Sequence, residues 1–177
     1  ILNSSMEIRD KIITENIPSA RNFLLEITNA IKTNSAVEFM YKKFGAEDSQ
    51  EDKICGLPLC LKQYKQRWYV LFQKDTNALR IYALDRISKL VPIKLATPIK
   101  KLKINTTSYW DNYYGIYTHQ DNAPNLVKLK VSPRYTKFLR SLPLHHSQKE
   151  VETNADYSIF TYKISVERDF ISEILSN

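Results

Sequence analysis

The sequence predicts an α+β fold in two parts, and three observations carry that reading. Between residues 33 and 95, five short stretches alternate apolar with polar residues or run apolar, joined by polar turns, with no helix-period segment among them. Ahead of them, Ala20, Phe23, Leu24, Ile27 and Ile31 recur at helix spacing and mark the apolar face of a helix ending near Lys32. After residue 123 the periods follow the order strand, helix, strand, strand, helix. The middle pattern is that of a small antiparallel β-barrel, which hides its edges by closing. The last is that of a ferredoxin-like βαββα unit, one strand short of the full βαββαβ motif.

Residues 1–32 form an N-terminal helical and linker segment. Ser4 and Glu7 have capping-box spacing, while Lys11-Ile12-Ile13-Thr14 fits a short strand equally well. The helix lies beyond Pro18, packs on the barrel that follows, and is broken by Thr33-Asn34-Ser35.

Residues 33–95 form the barrel. Val37, Phe39 and Tyr41 alternate as its first strand, and a polar, acidic loop runs from Phe44 to Asp52. Residues 53–61 are nearly all apolar and contain Pro58, which suits an edge or a bulge rather than a central ladder position. Lys62-Gln63-Tyr64-Lys65-Gln66 then turns the chain. In the third strand Trp68, Val70 and Phe72 face one way and Tyr69 and Leu71 the other, as in a half-buried strand. Lys74-Asp75-Thr76-Asn77 is a hairpin turn into Arg80-Ile81-Tyr82-Ala83-Leu84-Asp85-Arg86-Ile87, and residues 87–93 give the fifth strand.

Residues 96–122 form a connector of different texture, with Lys100, Lys101 and Lys103 beside Tyr109, Trp110, Tyr113, Tyr114 and Tyr117. Asn105-Thr106-Thr107-Ser108 can cap a short helix ending near Gly115. Basic residues mixed with aromatics occur on stacking surfaces for single strands. They equally suit a connector whose aromatics pin it between two domains. Residues 123–177 are the ferredoxin-like part: a strand at 126–131 and a helix capped by Ser132 with Pro133 at N1, carrying Tyr135, Phe138 and Leu139. Strands at 147–151 and 157–166 and a helix at 169–175 follow. With no initiator Met and no last strand, the expectation is a piece of a longer chain.

At 43% hydrophobic and 25% charged, the chain is an ordinary globular one and not a disordered segment. It has no apolar run near the roughly 18 residues of a membrane span, and no signal pattern. A cytoplasmic protein without membrane contact is expected. The balance of 26 basic against 19 acidic residues, +7, favours anionic partners. Cys55 and Cys60 point to opposite faces of one strand, so neither a disulfide nor a metal site is expected of them. An enzyme is not expected. With three glycines there is no glycine-rich phosphate loop, and there is neither a nucleophile elbow nor a carboxylate pair in an apolar setting. His119 stands in a loop, and His145 and His146 on a strand would face opposite ways. No catalytic residue, metal or cofactor is assigned.

One ordered set of motifs is similar to the WYL domain of bacterial transcription regulators. Tyr41 ends the first strand, and Pro58 opens the strand before the name motif. Trp68-Tyr69-Val70 is that motif, with valine where leucine is more usual, and Leu84-Asp85-Arg86-Ile87 is the closing signature. Pro143-Leu144-His145-His146-Ser147-Gln148 is similar to a segment of the extension that often follows WYL domains. The resemblance implies an Sm-like (SH3-like) barrel behind a winged helix-turn-helix, which this chain lacks, so that DNA is a partner of the missing part. It also implies a homodimer and an effector that is nucleotide-like or single-stranded nucleic acid. The ligand residues it points to are Tyr41, Trp68, Tyr69, Arg80 and Arg86, with the arginines as a phosphate-holding fork and the aromatics as stacking partners. Each has a plainer reading: Trp68 as core, Arg80 as a solvated residue, Arg86 as the partner of Asp85. Three departures stand against a full pocket: Leu57 in place of a histidine, Ala83 in place of an arginine and Lys43 in place of a serine. Two functions follow, the sensing portion of a transcription regulator or a dimerisation module that senses nothing.

Overall fold

The structure is a computed structural model that describes residues 22–44, 50–95, 99–106, 108–119 and 123–176. The expectations for Ser4, Glu7, the stretch at 11–14 and Ala20 lie outside the described residues. The chain divides into two compact units, residues 1–101 and 102–177, each a mixture of helix and antiparallel sheet. No helix among the described residues is long and apolar enough to cross a membrane.

The first unit opens with helix α1 (Leu24–Thr33), whose periodic face buries Ile27 and Ala30. Asn34, in the left-handed region that asparagine tolerates, ends it and sends its N–H back to the carbonyl of Ile31. Strands β1 (Val37–Tyr41), β2 (Asp52–Tyr64), β3 (Arg67–Lys74), β4 (Leu79–Ala83) and β5 (Ile87–Pro92) pair antiparallel in the order β4-β3-β2-β1-β5. No pairing joins β4 to β5 among the described residues, so a closed barrel is not seen. These two outer strands are nevertheless consecutive, linked only by a one-turn 3-10 helix, Leu84–Arg86. Three residues span little distance, and the sheet must curl to bring those strand ends together.

Two details differ from expectation, the turn after β2 and the burial of β3, while Pro58 lies at a bulge as expected. The turn after β2 is not five residues but two, because Lys65 and Gln66 both take positive φ, 44° and 64°. That geometry twists with the flanking strands, and so Lys62, Gln63 and Tyr64 stay in the ladder. Pro58 sits in an inner strand, at a bulge against β3 and beyond the last β1 pairing at Gly56, so its missing N–H costs no ladder bond. Strand β3 is buried on both faces. Val70 and Phe72 enter a core with Ile27, Phe39, Tyr41 and Tyr82, while Tyr69, Leu71 and Gln73 are buried on the other side. Gln73 is tolerated there because its Nε2 donates to the Lys100 carbonyl at 2.9 Å and to Asn77 Oδ1 at 3.0 Å.

The second unit contains a one-turn 3-10 helix (Ser108–Trp110), then β6 (Asn125–Val131), α2 (Pro133–Ser141), β7 (Lys149–Thr153), β8 (Ser158–Ile164) and α3 (Arg168–Leu175). The sheet order is β6-β8-β7 with β8 antiparallel to both neighbours, so β6 and β7 run parallel on either side of it. This is a split βαβ arrangement. Ser132 caps α2 by accepting from the Tyr135 N–H at 3.4 Å, and Pro133 takes N1. One sheet face and the helices enclose Leu139, Phe160, Tyr162, Ile164 and Phe170. Strand β7 starts later than expected because Gln148 is held in a turn. Its amide donates to the Leu139 carbonyl and accepts from the Leu144 N–H and the Tyr162 hydroxyl.

The helix expected up to Gly115 is a single 3-10 turn. What fixes the following residues is Asp169 near the start of α3, whose Oδ2 accepts from the N–H groups of Ile116 (2.6 Å) and Tyr117 (2.9 Å). Gly115 is buried, and a Cβ there would overlap the Asp169 carboxylate. Asp169→Ala therefore strips two N–H groups of a charged acceptor and is expected to cost about 1.5–3 kcal/mol. A urea midpoint shift, with faster proteolysis at 116–119, is the check. An unchanged midpoint would show that Asp169 does not hold this segment.

Candidate functional site

The end of β1 and the 3-10 turn lie side by side, since the Lys42 N–H donates to the Arg86 carbonyl at 3.1 Å. Between them opens a cleft of ≈ 380 Å³, lined in part by Lys42, Phe44, Glu51, Asp85, Arg86 and Ser88. That volume is in the range of small-ligand pockets. The guanidinium of Arg86 lies 4.1 Å from the Phe44 ring centre and 4.9 Å from that of Tyr41, a cation between two π faces. Its Nε is buried and has no hydrogen-bond partner among the described residues, and the same holds for Asp85 Oδ1. Such orphaned polar atoms cost about 1–3 kcal/mol each and call for an explanation.

Asp85 does not tie up Arg86. Its Oδ2 faces Arg67 Nη1 at 3.6 Å instead. The other carboxylates nearby are also engaged: Asp52 with Lys43 at 2.6 Å, and Glu51 Oε1 with Ser88 Oγ at 3.1 Å. Tyr41 is buried, packs edge-on to Tyr82 at 4.7 Å, and accepts a long hydrogen bond of 3.4 Å from the Ala83 N–H. Burial raises its phenol pKa, and the Arg86 charge offsets that only in part.

Of the residues proposed from sequence, Tyr41 and Arg86 come together. Arg80 does not line this cleft: it is exposed, and its Nη1 donates to the Leu79 carbonyl at 2.7 Å. Trp68 is half-buried against the core of the first unit. Tyr69 is buried on the opposite face of β3, opposite Ala83 in register. Leu57 and Ala83, two of the departures that stand against a full pocket, are both buried apolar residues. Phe44, 75% exposed, is not among the residues proposed from sequence, although an aromatic opening a polar acidic stretch three residues after Tyr41 is itself a signal.

Other chemistry-bearing groups are differently placed. His145 and His146 lie in a turn and not on a strand, with ring centres 4.1 Å apart, and His145 Nδ1 bonds Ser147 Oγ at 2.8 Å. No group of three or more His, Cys, Asp or Glu suited to a metal occurs among the described residues. Cys55 donates to Glu38 at 3.3 Å and burial raises its pKa, the reverse of an activated thiol. A larger open groove of ≈ 460 Å³ on the second unit is lined mainly by apolar groups such as Phe138, Leu142 and Leu144. We favour the smaller cleft because it holds the orphaned Arg86 Nε.

Comparison with known proteins gives one family match. Residues 22–92 match the WYL domain model, a span that includes Tyr41, Trp68-Tyr69-Val70 and Leu84-Asp85-Arg86-Ile87. Among solved structures the chain is similar to Proteasome accessory factor B/C (PafBC) of Arthrobacter aurescens, at 14% identity and a TM-score of 0.42. That match covers 86% of this chain and 22% of the other, so the chain spans about a fifth of that protein's length. No curated protein matches.

Proposed function

We propose that this chain is the regulatory portion of a WYL-containing bacterial transcription regulator. Its Arg86 cleft binds a phosphate-bearing effector, a nucleotide or the end of a single-stranded nucleic acid. The observation that carries the reading is the Arg86 guanidinium, held between Phe44 and Tyr41 with its Nε unpaired among the described residues. A guanidinium fork suits a phosphate, and an exposed aromatic beside it suits a base. Arg80, Trp68 and Tyr69 are secondary to this pair. The reading brings with it an Sm- or SH3-like barrel for the first unit and a ferredoxin-like fold for the second. It also brings a cytoplasmic homodimer, with DNA held by a helix-turn-helix outside this chain. Occupancy acts on transcription only if the effector favours one arrangement of the dimer over another. A second reading, a scaffold that only holds two chains together, draws support from Arg80, which is exposed and bonded to its own strand.

Calorimetric titration with nucleoside monophosphates at low salt tests the proposal. Arg86→Ala removes charge-assisted bonds of about 1.5–3 kcal/mol, so affinity falls roughly tenfold or more. Arg86→Lys restores only part of it, having neither fork nor planar stacking. Arg80→Ala changes it less than about twofold. If no nucleotide binds, the scaffold reading stands.

A further inference from the structure

We propose that Asp85 is the specificity-determining residue of the Arg86 cleft, selecting a phosphorylated ribose by accepting a hydrogen bond from a sugar hydroxyl. The inference rests on the phosphate-binding role given to Arg86 above and names what else the ligand carries. Asp85 and Arg86 are consecutive in the 3-10 turn, and both line the cleft. The Asp85 side chain is 11% exposed. Its Oδ2 faces Arg67 Nη1 at 3.6 Å, while its Oδ1 is buried and has no hydrogen-bond partner among the described residues. A carboxylate accepts, so the group that completes Oδ1 is a donor. A guanidinium only donates, so the group that completes Arg86 Nε is an acceptor. A ligand that answers both carries the two functions side by side.

A phosphate cannot fill both places, since it is itself an acceptor and shares the sign of Asp85. An ammonium is not called for either, because Arg67 already supplies a cation to Oδ2. A neutral hydroxyl suits the remaining oxygen. The cleft holds one such pair already, Ser88 Oγ donating to Glu51 Oε1 at 3.1 Å. Ribose places hydroxyls a few bonds from its phosphate, and an acidic side chain on a ribose hydroxyl is how dinucleotide-binding folds read that sugar. The exposed Phe44 ring, whose centre lies 4.1 Å from the guanidinium, offers a face to the base or to the apolar side of the sugar. The recognised chemistry is the ribose phosphate itself, brought by a free sugar phosphate or by a ribonucleotide.

The test is calorimetric titration of the full 177-residue chain with AMP, 2′-deoxy-AMP, 3′-deoxy-AMP and ribose 5-phosphate. Loss of one charge-assisted hydrogen bond predicts that at least one deoxy analogue binds roughly tenfold or more weakly than AMP. Asp85→Ala brings AMP and that analogue within about twofold of each other. Arg67→Gln, which removes the ion pair and keeps the acceptor, retains the preference, so the ratio separates recognition from a structural role. Circular dichroism confirms that each variant is folded. Asp85→Asn, which keeps the shape and removes the charge, narrows the preference and serves if the alanine variant does not fold. Ribose 5-phosphate binding as tightly as AMP identifies a free sugar phosphate as the source, and weaker binding identifies a ribonucleotide. Both deoxy analogues binding within about twofold of AMP overturns the inference and leaves the Arg86 reading standing. So does a preference that survives in folded Asp85→Ala protein. If none of the four probes binds, the Arg86 reading fails and this inference with it.

Discussion

Gly56→Ala is expected to destabilise the first unit by about 2–6 kcal/mol, the sum of a strained backbone and an overpacked core. Gly56 stands in β2 with φ at 155°, paired with Val37 on one side and Lys74 on the other. A Cβ there runs into the Gln73 carbonyl oxygen, comes within 2.7 Å of Phe72 Cε1, and lies 3.0 Å from the Lys74 Cα. Two of those three atoms are backbone of β3 and cannot swing aside without breaking the ladder. A domain has only about 5–15 kcal/mol to lose. Each unit contains one of the two tryptophans, Trp68 in the first and Trp110 in the second. In a Trp110→Phe background, urea unfolding followed by fluorescence therefore reports on the first unit. A midpoint within error of the parent would mean that β3 can retreat from Gly56, and that the pairing is looser than the register indicates.

Gly56 also illustrates what the sequence conceals. Local signals were legible: the helix-period residues of α1, the alternation of β1, and Ser132-Pro133 as cap and first helical residue all act within a few positions of themselves. Lys65-Gln66 was not, because a two-residue hairpin turn is read from Asn or Gly and neither is present. The double burial of β3 was hidden because alternation separates two faces without telling whether each is covered. Gln73 looks solvent-facing until Lys100, far along the chain, is found against it. The cleft divides the same way. Tyr41 and Arg86 occupy motif positions that the structure brings together, whereas Arg80 lies on a strand whose open and closed sides depend on how the sheet curls. Phe44 belongs to the cleft through its tertiary contact with Arg86, and no periodicity marks such a residue.

Phe39→Ala is the second change expected to have a large effect, about 3–5 kcal/mol for a fully buried aromatic. Phe39 has no exposed surface, and its ring lies edge-on to Phe72 and Tyr82, each at 5.3 Å, and to Tyr41 at 6.4 Å. Burial pushes the Tyr82 phenol up to about 12, so it stays neutral even at an alkaline pH where a free tyrosine ionises. Edge-to-face pairs add roughly 0.5–1.5 kcal/mol beyond area burial. Phe39→Leu, which keeps most of the volume, separates the two contributions. If the ring geometry matters, leucine recovers only part of the loss, and urea midpoints for the two variants measure the remainder. The same cluster seats Tyr41 beneath Arg86, so the consequence reaches the cleft. Folded Phe39→Leu protein is expected to bind nucleotide several-fold more weakly although residue 39 touches no ligand. Tyr41→Phe, which loses the 3.4 Å bond from Ala83 and the hydroxyl's hydrogen-bond interaction with Arg86 but keeps the ring, is expected to bind nearly as well as the parent. The reverse ranking would mean that the Tyr41 hydroxyl, and not its packed ring, positions the guanidinium.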